Sequence, residues 1–102
     1  MGLKDVMAAR RASGQTVDVP VAGIEGLTSV RVRRLSAAEA LATQREKDPG
    51  LALVVAAIRD EDGAPAYASA AEAAAEDWVL MQALLLAATK VNLLDVAAAK
   101  KD

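Results

Sequence analysis

The apolar residues of this chain change their spacing several times along its 102 positions, and the spacing predicts the elements. Leu3, Val6 and Met7 fall at i, i+3 and i+4, with Lys4, Arg10 and Arg11 on other faces. That pattern predicts a short helix from Leu3 to Ala12, ended by Ser13, Gly14 and Gln15. An isolated helix this short is marginal in water, so its apolar stripe is expected to dock on the domain or on a partner. Val17, Val19 and Val21 then alternate with Asp18 and Pro20, which predicts a strand. Pro20 cannot donate to a ladder, so an edge strand is expected. Gly23 and Gly26 turn the chain, and a second alternation follows, with Val30 and Val32 on one face and Arg31 and Arg33 on the other. The two strands read as a β-hairpin whose valine face needs a helix or a third strand over it.

Helical spacing takes over after Arg34. Ser36 and Glu39 form an S-x-x-E capping box, with Leu35 before it as the partner for a hydrophobic staple. The helix is expected to run to about Lys47, with Leu35 and Leu41 facing inward. Asp48, Pro49 and Gly50 break it, and Pro49 suits the first turn of a new helix. Leu51, Val54, Val55 and Ile58 fit i, i+3, i+4 and i+7, which favours helix, although the pair Val54–Val55 also suits a strand. Asp62, Gly63 and Pro65 mark a turn. Ser69 and Glu72 form a second capping-box pattern at the head of a long helix, with a break near Glu76 and Asp77.

In that last helix Trp78, Met81, Leu84, Leu85 and Ala88 make the main stripe. Val79, Leu80 and Leu86 widen it, and Gln82 interrupts it. A helix apolar nearly all round is either central in a core or exposed to a partner. The chain has few other large apolar residues to cover it, so the pattern points to self-association. Asn92 suits the helix C-terminus. Together these elements predict an α+β fold, mainly helical, with one N-terminal β-hairpin packed on three or four helices. The expected organisation is a single domain over 1–102, with a mobile N-terminal helix (1–14) and a frayed or partner-bound tail (95–102).

Composition removes several chemistries. With 54% hydrophobic residues the chain is not disordered by composition, yet its aromatic residues are Trp78 and Tyr67 alone. There is no cysteine and no histidine, hence no disulfide, no usual zinc ligand and no imidazole base. The net charge of −2 argues against binding held by phosphates. The first residues lack the apolar segment of a signal peptide, and Val6 stands where a myristoylation signal needs Ser or Thr. The longest apolar run falls well short of the ~20 residues that span a bilayer. A cytoplasmic protein without membrane contact is expected.

Local motifs add little catalytic promise. Asp60, Asp62 and Gly63 resemble the start of a calcium loop, but alanine-rich sequence stands where the closing glutamate belongs. An acidic turn is the simpler reading. Glu72, Glu76 and Asp77 have no catalytic partner residues, and Ser13, Ser29, Ser36 and Ser69 have no base. No glycine-rich phosphate loop occurs. Catalysis, a metal and a cofactor are therefore not expected. The arginines of the second strand lack the interleaved aromatics that stack on bases. They suit a solvated strand face that blunts edge pairing, or a polar surface for an acidic protein.

Three pieces, "VRVRRLSAAEA", "IRDEDGAPAY" and "KVNLL", together with the element order from Leu3 to about Leu94, resemble the tail assembly chaperones of long-tailed bacteriophages and prophages. The resemblance rests on patterns, without an invariant catalytic signature. It implies a non-enzymatic protein that holds the tape measure protein before the tail tube polymerises around it and is absent from the finished virion. It also implies a longer frameshifted product that brings tail tube protein to the tape measure. Ala99, Lys100 and Lys101 lie where the resemblance puts the family's frameshift, and one of their possible encodings, GCA AAA AAG, contains a slippery heptamer; two lysines near a helix end also favour its dipole. The residues expected to bind partners are Trp78, Val79, Met81, Leu84 and Leu85, with Arg31 and Arg33 as a secondary polar contact. A head–tail connector or tail completion factor is the nearest alternative, and a small DNA-binding regulator is a more distant one.

Overall fold

The computed structural model describes residues 2–12 and 16–92. The expected stop at Ser13 to Gln15, the Leu93–Leu94 part of "KVNLL" and the tail with Lys100 and Lys101 lie outside the described residues. Within them the order is α1 (Leu3–Ala12), β1 (Thr16–Pro20), β2 (Ser29–Arg33), α2 (Ala37–Gln44), α3 (Pro49–Ala57), β3 (Ile58–Arg59), α4 (Ala70–Ala74) and α5 (Trp78–Asn92). The result is a mixed α+β fold with a three-stranded antiparallel sheet in the order β1-β2-β3.

The strand register follows from the alternation. Val17 faces Val32, and Val19 faces Val30, so the valines of both strands share one face. The Val21 N–H donates to the Thr28 carbonyl across the hairpin. By antiparallel parity, Val17 and Val19 then turn their backbone groups toward β2, while Thr16, Asp18 and Pro20 turn theirs outward. Pro20 thus sits where a missing N–H costs no ladder bond. Gly23 and Gly26 take positive φ in the connecting loop.

The third strand is a correction to the expected lone hairpin. Ile58 fits the helical spacing of Leu51 and Val55, yet α3 ends at Ala57 and Ile58 is extended, with φ −79° and ψ 128°. It pairs with Val32, and Arg59 pairs with Arg31. A two-residue strand shows no period of its own. Beyond it, the Asp60 N–H donates to the Ala64 carbonyl and the Ala66 N–H to the Ile58 carbonyl, so the outer side of β3 is closed by its own loop.

The core unites Val19, Val30 and Val32 of the sheet, Leu53, Val54 and Ala57 of α3, Ile58, Tyr67, Ala73, and Met81, Leu84, Ala87 and Ala88 of α5. Helix α3 touches α2, α4, α5 and β2, which explains why its sequence is apolar on every side. Helix α5 lies against α3 and the sheet.

Two details of α2 depart from the sequence expectation. The helix stops at Gln44, about a turn early, and Leu41 is 53% exposed instead of facing inward. Thr43 takes the buried position and donates its hydroxyl to the Ala40 carbonyl at 2.7 Å. Leu41 lies two residues before Thr43, about 200° around the helix, and so faces solvent. The capping box of Ser36 and Glu39 is formed in both directions. At Ser69 half of the pattern is made, its hydroxyl accepting the Glu72 N–H, and α4 ends after five residues.

Candidate partner-binding surface

The start of α5 determines which of its apolar residues remain outside. Asp77 ends the α4–α5 connection and accepts the Leu80 N–H on its side chain at 3.0 Å and the Met81 N–H on its carbonyl at 2.9 Å. That cap begins the helix at Trp78. The valine face of the sheet and α3 then take the side carrying Met81, Leu84, Ala87 and Ala88.

The five residues expected at the partner surface separate accordingly. Met81 and Leu84 are 4% and 6% exposed, so they fill the core of this chain. Leu85 is half-buried against the core. Trp78 and Val79 are 66% and 55% exposed. Leu86, which sequence spacing ranked only as widening the stripe, is 67% exposed. Trp78, Gln82, Leu86 and Lys90 fall on one row at intervals of four, with Val79 and Ala83 beside it. Leu86, Ala83 and Lys90 also border an open groove of about 320 Å3 whose far wall is Val19, Pro20 and Val21. Beyond α5, the described side chains of α1 are exposed, Leu3, Val6 and Met7 among them.

The arginines of β2 are occupied within the fold. Arg33 makes a two-pronged contact with Glu39, at 3.1 Å and 2.6 Å, and donates to the Ala56 carbonyl. Arg59 donates to the same carbonyl at 3.2 Å. Ala56 lies in the last turn of α3, where unpaired carbonyls and the negative end of the helix dipole attract cations. Arg33 therefore ties β2, α2 and α3 together. Arg31 contacts Asp18 across the hairpin at 3.4 Å and donates to the Glu61 carbonyl at 2.9 Å, its side chain remaining 40% exposed. Of the pair, Arg31 is the one that still presents a large part of its side chain at the surface.

Hydrogen bonds from Arg33 and from the Ser36 backbone N–H hold the Glu39 carboxyl at about 2, below its ordinary 4.5. A depressed carboxylate stabilises the fold above its unfolded-state value and loses that contribution as pH falls. The window runs from about 4.5 down to about 2. Glu39→Gln is expected to flatten the stability curve across that window and to cost about 1 kcal/mol at neutral pH, a figure kept low by solvent screening of the half-exposed pair. Urea unfolding at stepped pH measures both effects, and an unchanged acid limb would refute the assignment.

The acidic turn also uses its own carboxylate. Asp60 accepts the backbone N–H groups of Asp62 and Ala64 at 2.9 Å and 3.0 Å, and Gly63 takes positive φ. Among the described residues no group of three or more metal-ligating side chains comes together. Tyr67, beneath this turn, donates its hydroxyl to Glu76 at 2.7 Å. Burial, followed by the Glu76 carboxylate, pushes the phenol up.

Sequence reasoning put Asn92 at the end of the helix but missed its tie to the β2–α2 junction. Its Oδ1 accepts the Leu35 N–H at 2.8 Å, and its Nδ2 donates to the Arg33 and Ala88 carbonyls. It clamps the end of α5 to the β2–α2 junction. A lone asparagine among apolar residues at a helix end was the available signal. Among the described residues no helix is long and apolar enough to cross a membrane. Compared with protein-family models, curated proteins and solved structures, the chain matches none.

Proposed function

We propose that this protein is a phage tail assembly chaperone, a non-catalytic module that holds the tape measure protein through the outer face of α5. Trp78, Val79 and Leu86 would supply the apolar contact, and Arg31 a polar one at the neighbouring sheet. The observation that carries the reading is the exposure of Trp78, Val79 and Leu86 on α5, which the described residues leave uncovered while the opposite side of the same helix is buried. Exposed apolar patches of this kind mark protein-binding surfaces. The occupied guanidiniums of Arg33 and Arg59 weigh against a phosphate-binding strand. In this reading a longer frameshifted product brings tail tube subunits to the tape measure. The chaperone works in the bacterial cytoplasm and leaves before the virion is complete.

Co-expression with the tape measure protein tests it. A tagged chaperone is expected to retain the tape measure, and the pair Trp78→Ser and Leu86→Glu to release it while the circular dichroism melt stays in place. Undiminished retention by the double variant would sink the proposed surface, and no retention by the wild type would sink the function.

A further inference from the structure

We infer that the outer face of α5 also pairs with the same face of a second copy of this chain, antiparallel about a two-fold axis between Gln82 and Leu86. The pairing stands on the geometry of α5; that it competes with tape measure binding rests on the proposed function.

The row Trp78–Gln82–Leu86–Lys90 forms a ridge at intervals of four, the type that packs against another helix. Ala83 beside it has little side chain to hold a second helix away. The charges are segregated by end. Asp77 stands exposed immediately before α5, and Lys90 lies in its last turn. Twelve residues of helix separate Trp78 from Lys90 by about 18 Å, so the two ends of the face cannot meet within one copy. An antiparallel second copy brings them together twice. Each Lys90 then reaches the partner's indole and the Asp77 carboxylate next to it, a cation–π contact combined with an ion pair. Gln82 lies opposite Leu86, and the positive end of each helix dipole lies beside the negative end of the other. A parallel pairing would instead place Lys90 on Lys90 and acid on acid. The face is therefore self-complementary in one orientation, as a two-fold interface requires. It amounts to one face of one 15-residue helix, which places it among weak interfaces.

Trp78 is the one tryptophan of the chain, so it reports its own burial. Sedimentation of the full-length chain is expected to pass from monomer to dimer as concentration rises, with a blue shift of Trp78 emission over the same range. Leu86→Lys is expected to weaken association at least ~30-fold, as loss of a central apolar contact does. Lys90→Glu does the same with a different chemistry and guards against a folding defect in the first variant.

The absence of cysteine supplies the orientation test. When Gln82→Cys and Leu86→Cys chains are mixed and oxidised, the mixed disulfide should dominate. Self-disulfides of each variant in its place would mean parallel pairing and overturn the inference. A monomer at every concentration would also overturn it. So would an emission shift independent of concentration that Leu3→Ser and Val6→Ser remove, since α1 of the same chain would then be the cover. A dimer whose disruption leaves tape measure retention intact would uphold the pairing and place the tape measure contact on another face.

Discussion

Leu84→Gln is expected to lower the melting temperature by roughly 15–30 °C, whereas Leu86→Gln, two residues further on, leaves it nearly unchanged. Leu84 sits between the sheet and α3 with 6% of its surface exposed. The substitution removes a packed aliphatic side chain, and no partner among the apolar core residues replaces the water its amide gives up. Together the lost packing and the buried amide cost about 3–5 kcal/mol. Domains of this size hold only about 5–10 kcal/mol in all. Leu86 already meets solvent, and exposed substitutions of this kind stay within about 0.5 kcal/mol. Thermal melts of the two variants decide the matter. A stable Leu84→Gln protein would mean that α5 sits on the sheet in another phase, and the outer face would then carry different residues.

The second large effect is expected at Asn92. Its side chain completes the Leu35 N–H and the Arg33 carbonyl where β2 passes into α2. Asn92→Ala strands both groups in a partly buried junction and is expected to cost about 2–3 kcal/mol in urea unfolding. Asn92→Asp separates the two roles. It keeps an acceptor for Leu35 but cannot donate to Arg33 or Ala88, so it should fall between alanine and wild type. A variant equal in stability to the wild type would show that water replaces the clamp without penalty.

These two positions illustrate how far the fold was legible in the chain. Strict alternation identified β1 and β2, because a period of two over five residues has no helical counterpart. Ser36–Glu39, Pro49 and Ser69 placed three helix starts, since each of these signals acts on backbone within its own turn. Ile58 was read as helix because a strand two residues long has no pattern apart from its partner, and that partner, Val32, is 26 residues away. The same locality limited the reading of the candidate surface. The sequence of α5 is apolar on nearly every side and does not state which side the sheet will take. That choice is made by Val30 and Val32, and it sends Met81 and Leu84 inward while leaving Trp78, Val79 and Leu86 outside. Asn92 and Arg33 were obscured for a related reason. Asn92 meets the Leu35 N–H and two carbonyls, and Arg33 meets the Ala56 carbonyl as well as Glu39; backbone groups carry no residue identity to match.

The termination of the sheet has a consequence for the protein in bulk. On the β1 side the outward row of Thr16, Asp18 and Pro20 offers an interrupted set of donors, and on the β3 side the strand is covered by residues 64–66. Strand-by-strand accretion, the usual route from an overproduced β protein to insoluble ribbons, therefore has no good starting edge. A protein acting as proposed above, held at high concentration until a long partner is finished, needs to remain dispersed while keeping an apolar surface uncovered. Among the described residues the exposed large apolar side chains lie on helices, on α1, α2 and α5, and on α5 the inferred pairing ends contact at two copies.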